Sequence, residues 1–528
     1  FLLFVALVLH LRKVYSRFSD YGVGYFRPIP VLGNLWYLVS KSHQAGVDNQ
    51  ILHDAFPDDK FVGRYELTKP LISVSDPELI KKVTVKDFEY FLDHRHIVDD
   101  EVDSLFGRAL FCLRGQEWKD MRSTLSPAFT SSKIKNMVPF MVEVNKQMID
   151  NLKEKLNESN TGYIDLDFKD ISTRYTNDVI ATCAFGVKVN SHRDLDNEFY
   201  QHGQYSSSFG LRKIMVFLGY TSFPSIMKQL NVKLFKEETR QFFKSLVMTS
   251  MDTRETKNII RPDMIQLLME AKKGKLVHDD TKVKDEEVGF ATVEESDVGK
   301  RTVDRKWADD DLIAQAFFFF LAGFETVSST MTLLFHELAA HPDAQNKLYQ
   351  EIMETEEKYG GKLDHNTIQN MKYLDMCLSE VLRLWPPVVG LDRRCIKNYN
   401  LGKPNDKAKK DYIIRRGENL TIPIYAIHRD PKYYTNPNQF DPERFSDENK
   451  DNIKPFTYMP FGIGPRNCIG SRFALVELKI MAYQFLQQFE VSKCEKTVYP
   501  IVMAPEYFTI VIQGGHTLRL SKRKQKTN

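Results

Sequence analysis

Hydrophobic residues recur at helical spacing along most of the chain that follows Trp118. Between residues 130 and 270 this pattern predicts several amphipathic helices separated by short turn signals. A more apolar run predicts one long helix from Trp307 to His341, which ends before Pro342 because proline cannot continue a helical hydrogen-bond ladder. Most of the chain after Trp118 is therefore expected to be helical.

Extended structure is predicted at two places. Phe61–Val74 is rich in β-type side chains interrupted by Lys69-Pro70, and this pattern predicts a small hairpin near the N-terminus. Further on, Pro386-Pro387 ends a helix and begins a strand towards Arg393. Because side chains alternate along a strand, only one of Arg393 and Arg394 is expected to point inward.

The N-terminal residues are apolar and then basic. Phe1–Leu11 is apolar except for His10, and Arg12-Lys13 follows. We interpret residues 1–11 as the end of an N-terminal membrane anchor with its basic flank on the cytoplasmic side, although a cleaved signal peptide is the alternative. The prolines of Arg27–Asn34 favour a stiff, extended segment. The expected organisation is an anchor at 1–11, a basic and proline-rich hinge at 12–34, and a catalytic domain at 35–528.

A charged segment interrupts the helical pattern between residues 272 and 306. It runs from Lys272-Lys273 to Arg305-Lys306 and has little periodicity. We expect it to be a long solvated linker, in part disordered.

Composition and charge exclude only a few classes of function. The 528 residues are 42% hydrophobic, so the chain can form two to four domains or one large enzyme fold. The 73 basic and 70 acidic residues leave a net charge of +3, which argues against a nucleic-acid-binding protein. None of the six cysteines forms a Cys-x-x-Cys pair, so neither a disulfide framework nor a zinc site is indicated.

One cysteine has an unusual setting. Phe461–Gly470 combines two glycines and a proline in a tight loop that delivers Cys468 to the start of a helical pattern. The helix dipole and the nearby Arg466 both favour the thiolate form. A thiolate on such a loop suits the axial position of an iron porphyrin. The alternative is an ordinary buried thiol.

The long predicted helix contains a second chemical element, Ala322-Gly323-Phe324-Glu325-Thr326. The Thr326 hydroxyl can bond the carbonyl of Ala322, four residues back, and so open a groove lined by small residues. Such a groove suits dioxygen bound on iron, with Glu325 and Thr326 passing protons through water. The alternative is a back-bonded threonine in a core.

Two pairs of residues stand out because the two members of each pair are one helical turn apart. Glu380 and Arg383 lie in an otherwise apolar helix and are expected to be buried, with Arg444 as a third member of a structural network. Trp118 and Arg122 share one helix face and together suit a haem propionate. A core tryptophan beside a surface arginine is the alternative for the second pair.

These motifs, in this order, resemble the cytochrome P450 family. Phe461, Gly464, Arg466, Cys468 and Gly470 match all five fixed positions of its cysteine loop, and the resemblance covers nearly the whole chain after residue 28. It is closest to microsomal members, and among these to the insect enzymes that act on xenobiotics. The resemblance implies a mainly α fold, a helical bundle around haem b with small β-sheets.

The resemblance also implies roles for individual residues. Cys468 would be the metal ligand, and Thr326 and Glu325 the catalytic proton relay. The remaining cofactor-binding residues would be Trp118, Arg122, Ala322, Arg393, Phe461, Arg466 and Gly470, with Arg394 as the alternative to Arg393. The substrate would contact Phe106, Leu110, Phe318, Leu321, Ala322, Val388, Val389 and Val502.

The implied activity is monooxygenation of lipophilic small molecules at the cytoplasmic face of the endoplasmic reticulum membrane. Electrons would come from NADPH through NADPH-cytochrome P450 reductase, with cytochrome b5 as a second donor. A basic docking patch is expected from Lys119, Arg122, Arg466, Arg472 and Lys479. Xenobiotic detoxification is the favoured role. The alternatives are an endogenous hormone or fatty-acid hydroxylase, a reductase-independent peroxide isomerase, and a haem-based gas sensor.

Overall fold

The computed structural model describes residues 1–36, 40–273, 289–301, 305–507 and 509–523. The helices of these ranges are α1 Leu2–Tyr15, α2 Arg17–Tyr21, α3 Ala45–Asp54, α4 Pro77–Lys81, α5 Ser104–Gly107, α6 Gly115–Leu125, α7 Ser131–Lys135, α8 Val138–Glu158, α9 Phe168–Ile180, α10 Glu198–Ser207, α11 Leu211–Ser222, α12 Pro224–Gln229, α13 Glu237–Lys257, α14 Met264–Lys272, α15 Asp309–Ala340, α16 Pro342–Tyr359, α17 His365–Gln369, α18 Lys372–Leu384, α19 Ile424–Ile427 and α20 Ser471–Gln488. The strands are β1 Phe61–Glu66, β2 Lys69–Val74, β3 Tyr163–Asp167, β4 Leu391–Arg394, β5 Tyr399–Gly402, β6 Tyr412–Ile414, β7 Asn419–Ile422, β8 Phe489–Ser492 and β9 Thr517–Lys522. The prediction of a mainly helical fold with small sheets is confirmed.

The long helix α15 runs through the core. It is apolar on nearly all sides and buried along most of its length, with α5, α9, α10, α18 and α20 packed against it. Three aspartates occupy its first turn, and the Asp311 carboxylate accepts the Ala308 N–H at 2.8 Å, which suits the positive end of the helix dipole. Of the described helices, α15 alone has the length and apolar composition of a membrane span, and most of that stretch is buried inside the protein.

The strands form three small sheets. β1 and β2 make the predicted hairpin, and the larger sheet has the order β1-β2-β7-β4, with β2 parallel to β7 and β4 antiparallel to it. A second sheet orders its strands β3-β9-β8, and β5 pairs with β6. In β4 the Arg393 side chain is buried and Arg394 is partly exposed, so the expected alternation turns Arg393 inward.

The N-terminal residues pack on the first sheet. Phe18 is fully buried, and its ring centroid lies 4.6 Å from that of Tyr65. Arg17 forms an ion pair with Glu418, in which Nη2 lies 2.8 Å from Oε2. Part of the segment predicted to be a hinge is therefore docked on the catalytic domain. The division into anchor, hinge and domain stays a prediction.

The charged segment differs from its prediction. Helix α14 continues to Lys272, and residues 274–288 and 302–304 lie outside the described residues. The described part, 289–301, is not a solvated linker, because Ala291 and Val298 are both buried in the main hydrophobic core. Apolar side chains spaced irregularly among charges anchor it, and such spacing gives no periodic signal in the sequence.

A buried charge network fixes α18 to the loop before the cysteine. Glu380 and Arg383 are fully buried, and two guanidinium nitrogens lie 2.7 and 2.8 Å from the two carboxylate oxygens. Arg444 reaches the same carboxylate at 3.3 Å. Arg383 also donates to the carbonyl oxygens of His428 and Pro437, so its charge is well compensated. The structure thus brings together the three residues that the sequence assigned to this network.

Candidate active site around Cys468

The Cys468 loop is shaped by its glycines. Gly464 adopts φ +71°, and a Cβ at this position would overlap the Thr84 carbonyl oxygen, so a side chain is excluded on both counts. The Cys468 N–H donates to the carbonyl oxygen of Phe461 at 2.8 Å, which closes the loop. Gly470 then precedes the first residue of α20. The loop therefore holds Cys468 just before a helix N-terminus, as the sequence predicts.

The Cys468 thiol lies in surroundings that disfavour its thiolate form. Its side chain is exposed, yet the surrounding protein desolvates it and raises the pKa of the thiol, against the lowering effects of the Gly470 N–H and Arg122. The sequence led us to expect that Arg466 would favour the thiolate. The Arg466 guanidinium instead donates to backbone carbonyls, those of Leu92 at 2.8 Å and Leu113 at 2.9 Å. Stabilisation of the thiolate is thus left to a bound cation such as iron.

Two buried cationic groups, Arg393 and Arg466, lie near each other on and beside the cysteine loop. The Arg466 guanidinium stacks 3.9 Å from the centre of the Trp118 ring. Arg393 is buried, and the Asp392 carbonyl, 2.7 Å from Nη1, is the one hydrogen-bond acceptor it has among the described residues. Desolvation lowers the pKa of Arg393 to about 10, and desolvation together with Arg393 lowers that of Arg466 well below its usual value. Two buried guanidiniums that repel each other favour a bound dianion.

Arg122 has other partners in this structure. Its Nη1 and Nη2 donate to the carbonyl and side-chain oxygens of Asn467 at 2.8 and 2.7 Å. Nη2 also lies 2.7 Å from Glu295, a residue of the charged segment. Trp118 is buried on the same helix, and its indole N–H has no acceptor in the described parts of the chain. The propionate role predicted for Arg122 stays a prediction, and its pairing with Glu295 could not be predicted from the sequence.

One face of α15 is partly exposed in the middle of the buried helix. Phe318, Ala322 and Thr326 lie on it at intervals of four residues, with Phe319 next to Phe318. The Thr326 hydroxyl donates to the Ala322 carbonyl at 2.6 Å, so the expected back-bond is confirmed. This face offers one hydroxyl beside a residue as small as alanine.

Glu325 points to a neighbouring helix. Its carboxylate lies 2.9 Å from the Lys169 ammonium group on α9 and accepts the Ser329 hydroxyl at 3.1 Å. Lys169 also donates to the Ser328 hydroxyl at 2.9 Å. Sequence reasoning missed Lys169, because nothing near it marks a partner so distant along the chain.

Several residues predicted to contact substrate lie near one another. The ring centroid of Phe318 is 6.3 Å from that of Phe106 and 6.1 Å from that of Phe111, an aromatic neighbour that the sequence did not single out. The Leu110 N–H donates to Gln315 of α15 at 2.7 Å, which ties its loop to the helix. The other predicted residues differ in exposure, because Leu321 and Val389 are buried while Val388 and Val502 are exposed.

The predicted basic docking patch is not on the surface. Of its five members, four have buried or nearly buried side chains, namely Arg122, Arg466, Arg472 and Lys479. The fifth, Lys119, pairs with Glu89 at 2.6 Å. Charge counting along the sequence could not detect this, because burial depends on distant partners, such as Glu295 for Arg122 and Asp375 for Lys479.

Three features together define a haem-thiolate class of enzyme. They are the mainly helical fold, the cysteine on a loop that contains glycines, and the long helix in which a threonine hydroxyl bonds back to the preceding turn. The family model for cytochrome P450 matches residues 23–515. The chain therefore belongs to the cytochrome P450 family and is a monooxygenase.

Similar curated proteins come from insects. Cytochrome P450 9e2 of Blattella germanica is 46% identical over 98% of this chain and 97% of its own length. Probable cytochrome P450 9f2 of Drosophila melanogaster is 40% identical over 96% and 95%, respectively. Cytochrome P450 6k1 of Blattella germanica is 36% identical over 98% and 95%. The resemblance found in the sequence is thus confirmed.

The cofactor of the family is haem b, and the residues present fit it. The exposed Cys468 side chain offers one sulfur, as a single thiolate ligand of the haem iron requires. The two buried guanidiniums of Arg393 and Arg466 offer countercharge for the two propionates, and the Trp118 indole N–H is an additional donor.

Proposed function

We propose that this monooxygenase oxidises varied lipophilic compounds with electrons passed from NADPH by a flavoprotein reductase, and that its role is xenobiotic detoxification. The observation that carries the proposal is the Cys468 loop beside the buried arginines, because it provides one exposed sulfur as an iron ligand and the countercharge for haem. Cytochrome b5 is a candidate second donor.

Bound haem would supply an iron centre that activates dioxygen. For the chain itself, Cys468 would bind the haem iron through its sulfur, and Arg393, Arg466 and Trp118 would hold the propionates. Thr326 offers a hydroxyl on the α15 face, 2.6 Å from the Ala322 carbonyl, where it can orient water. The adjacent Glu325 can exchange protons with water, and the Lys169 ammonium group, 2.9 Å from its carboxylate, orients it.

The residues assigned to the substrate support broad selectivity. They are aromatic or aliphatic without exception, namely Phe106, Leu110, Phe318, Leu321, Ala322, Val388, Val389 and Val502. An apolar wall distinguishes two substrates that differ by one methylene by only about 1–3 kcal/mol, and it rejects weakly an analogue that carries an extra hydroxyl. A pocket that selects by size and apolar area accepts many lipophilic substrates, and this supports a broad substrate range over a single hormone.

The surface supports attachment to a membrane, for which we propose the cytoplasmic face of the endoplasmic reticulum. Leu211, Met215 and Phe223, at the start, middle and end of α11, are each more than half exposed. The Lys69 ammonium group donates to the Thr221 carbonyl at 2.9 Å, which joins α11 to the hairpin on which the N-terminal residues pack. Exposed apolar side chains near the predicted anchor suit a contact with lipid.

The proposal is tested by turnover of a panel of lipophilic compounds with purified holoprotein, reductase and NADPH. Oxidation of several unrelated compounds, each dependent on NADPH and reductase, is the expected result. Oxidation of a single sterol or fatty acid would instead identify a biosynthetic hydroxylase. Rearrangement of lipid peroxides without NADPH would identify an isomerase.

A further inference from the structure

One carboxylate near the end of α15 contacts two segments that are far apart in the chain. Glu337 is buried, and its Oε1 accepts the indole N–H of Trp385 at 2.8 Å. Its Oε2 lies 3.4 Å from the Tyr499 hydroxyl and 3.5 Å from Nδ1 of His341. Trp385 directly follows α18, whereas Tyr499 lies between β8 and β9. Glu337 therefore joins two segments from different parts of the fold.

Each of these segments leads to a valine that we assign to the substrate. Val388 is three residues after Trp385, and Val502 is three residues after Tyr499, and we call residues 385–388 and 499–502 the wall segments. Val388 is 45% exposed and Val502 is 51% exposed, so both valines are open to contact. Three residues of extended chain reach at most about 11 Å. The shared contact with Glu337 therefore limits how far apart the two valines can move.

Helix geometry places Glu337 on the side of α15 that carries Thr326. Glu337 follows Thr326 by about three turns of 3.6 residues, which returns it to nearly the same side, about 16 Å further along the axis. This side includes the partly exposed face of α15 described above. The wall segments are thus attached to α15 on the side of the candidate site.

Trp385 is held from a second direction as well. The Arg429 guanidinium stacks 4.6 Å from the centre of the Trp385 ring and 3.9 Å from the centre of the Tyr425 ring. Arg429 is buried, and its Nη1 has no hydrogen-bond partner among the described residues, so the two ring faces are its main contacts. The Tyr425 N–H donates to the Val389 carbonyl oxygen at 3.1 Å. These contacts fix the indole in the position from which it reaches Glu337.

We propose that Glu337 is a positioning residue that holds the two wall segments in one arrangement and thereby favours the binding of long lipophilic molecules. This inference rests on the proposed function, since it requires that Val388 and Val502 contact the substrate. A wall that is already ordered loses little conformational freedom when such a molecule binds, whereas a loosened wall must be ordered at that moment and binds it more weakly. The Trp385 contact is shorter than the Tyr499 contact and is expected to contribute more.

The test uses the holoprotein and two ligands of haem iron, imidazole and 1-dodecylimidazole. Both bind through a ring nitrogen, but only the dodecyl chain is long enough to reach the wall segments. Dissociation constants are measured by difference absorption spectroscopy. We expect Trp385→Phe, which keeps a ring but removes the N–H, to weaken 1-dodecylimidazole binding about fivefold, the effect of losing one hydrogen bond. Tyr499→Phe is expected to weaken it about twofold because its contact is longer. Imidazole binding is expected to stay the same in both variants.

Trp307→Phe is the matched control for Trp385→Phe. The Trp307 indole N–H also donates to a side-chain oxygen, that of Thr124 at 3.2 Å, and its ring also faces a guanidinium, that of Arg305 at 4.7 Å. Trp307 lies just before the opposite end of α15. Its replacement removes the same type of hydrogen bond away from the wall segments, so both ligands should bind with wild-type affinity.

Glu337 itself is tested by two substitutions. Glu337→Gln keeps an acceptor oxygen and should retain the affinity for 1-dodecylimidazole, whereas Glu337→Leu removes the acceptor and should lower this affinity at least as much as Trp385→Phe does. Adding Trp385→Phe to Glu337→Leu should cause no further loss, because the contact is already absent. If Glu337→Leu does not fold, Trp385→Phe and Tyr499→Phe still test the proposal.

Three results would overturn the positioning role. They are wild-type affinity for 1-dodecylimidazole in Trp385→Phe, an equal loss of affinity for imidazole in that variant, and an equal loss of 1-dodecylimidazole affinity in Trp307→Phe. Wild-type protein without thiolate-ligated haem would instead contradict the proposed function itself.

Discussion

Lys169 and Glu325 lie 156 residues apart in the sequence, and the ammonium nitrogen of one is 2.9 Å from a carboxylate oxygen of the other. The pair joins α9 to α15 beside Thr326. It shows that the acid of the predicted acid–alcohol pair has its own charged partner. Thr326, in contrast, bonds within its helix, so the two side chains are oriented by different parts of the fold.

Replacing Glu325 with Gln tests whether the carboxylate moves protons. We expect product formation with saturating reductase to fall about 100-fold, the typical contribution of a positioned acid or base. Lys169→Met is the companion variant, since it removes the ion pair but leaves the carboxylate and its bond from Ser329. Equal losses in both variants would indicate that the pair only holds two helices together.

Thr326→Ala is expected to keep the haem and to waste electrons. Without the hydroxyl, ordered water is lost from the α15 face, and product per NADPH should fall about fivefold while hydrogen peroxide accumulates. Thr330→Ala is the matched control, because its hydroxyl makes the same kind of back-bond one turn further on and is buried. An unchanged product yield per NADPH in Thr326→Ala would contradict the relay role.

Arg393→Leu is expected to weaken haem retention. The buried guanidinium of Arg393 has one described acceptor and needs an anionic partner, whereas Arg394 is the partly exposed neighbour on the same strand. We expect the ratio of haem to protein, measured by pyridine haemochrome, to fall at least about tenfold in Arg393→Leu and to stay near the wild-type ratio in Arg394→Leu. The reverse order would assign the propionate contact to Arg394.

His428 makes stability depend on pH. It is buried, its Nε2 accepts the Met459 N–H at 3.0 Å, and its Nδ1 lies 3.0 Å from the Arg383 carbonyl oxygen, so the neutral ring satisfies both partners. Desolvation, with the nearby charges of Arg383 and Arg429, lowers its pKa from 6.5 to about 3.

Because the unfolded chain binds this proton more readily, the contribution of His428 is complete above pH 6.5 and is lost as the pH falls towards 3. At pH 5 the free energy of unfolding should be about 2 kcal/mol lower from this group alone. Urea titrations followed by circular dichroism at pH 7.5 and pH 5 measure the difference. His428→Gln should reduce it, whereas replacing the exposed His43 with Gln should leave it unchanged.

Features that depend on neighbouring residues could be predicted from the sequence. The Cys468 loop, the Thr326 back-bond and the burial of Glu380 with Arg383 follow from residue spacing, since helix and turn geometry fix which groups meet. Haem binding and the overall fold could also be predicted, because the family resemblance implies both.

Features that depend on distant segments could not be predicted. Lys169 meets Glu325, and Glu295 meets Arg122, only because distant helices and residues 289–301 pack together. Residues 289–301 have the composition of a solvated linker, and three apolar side chains among many charges are enough to dock them. The expected basic patch was wrong for the same reason, since residues 289–301 contact Arg122.

The central claim is that the Cys468 sulfur binds the haem iron. The most direct measurement is the absorption spectrum of the reduced, carbon-monoxide-bound holoprotein, recorded for wild type and for Cys468→His. The account predicts the red-shifted band of a thiolate-ligated haem in the wild type and its replacement by the band of an imidazole-ligated haem in the variant. A wild-type spectrum of the imidazole type, or a thiolate band that survives in Cys468→His, would contradict it.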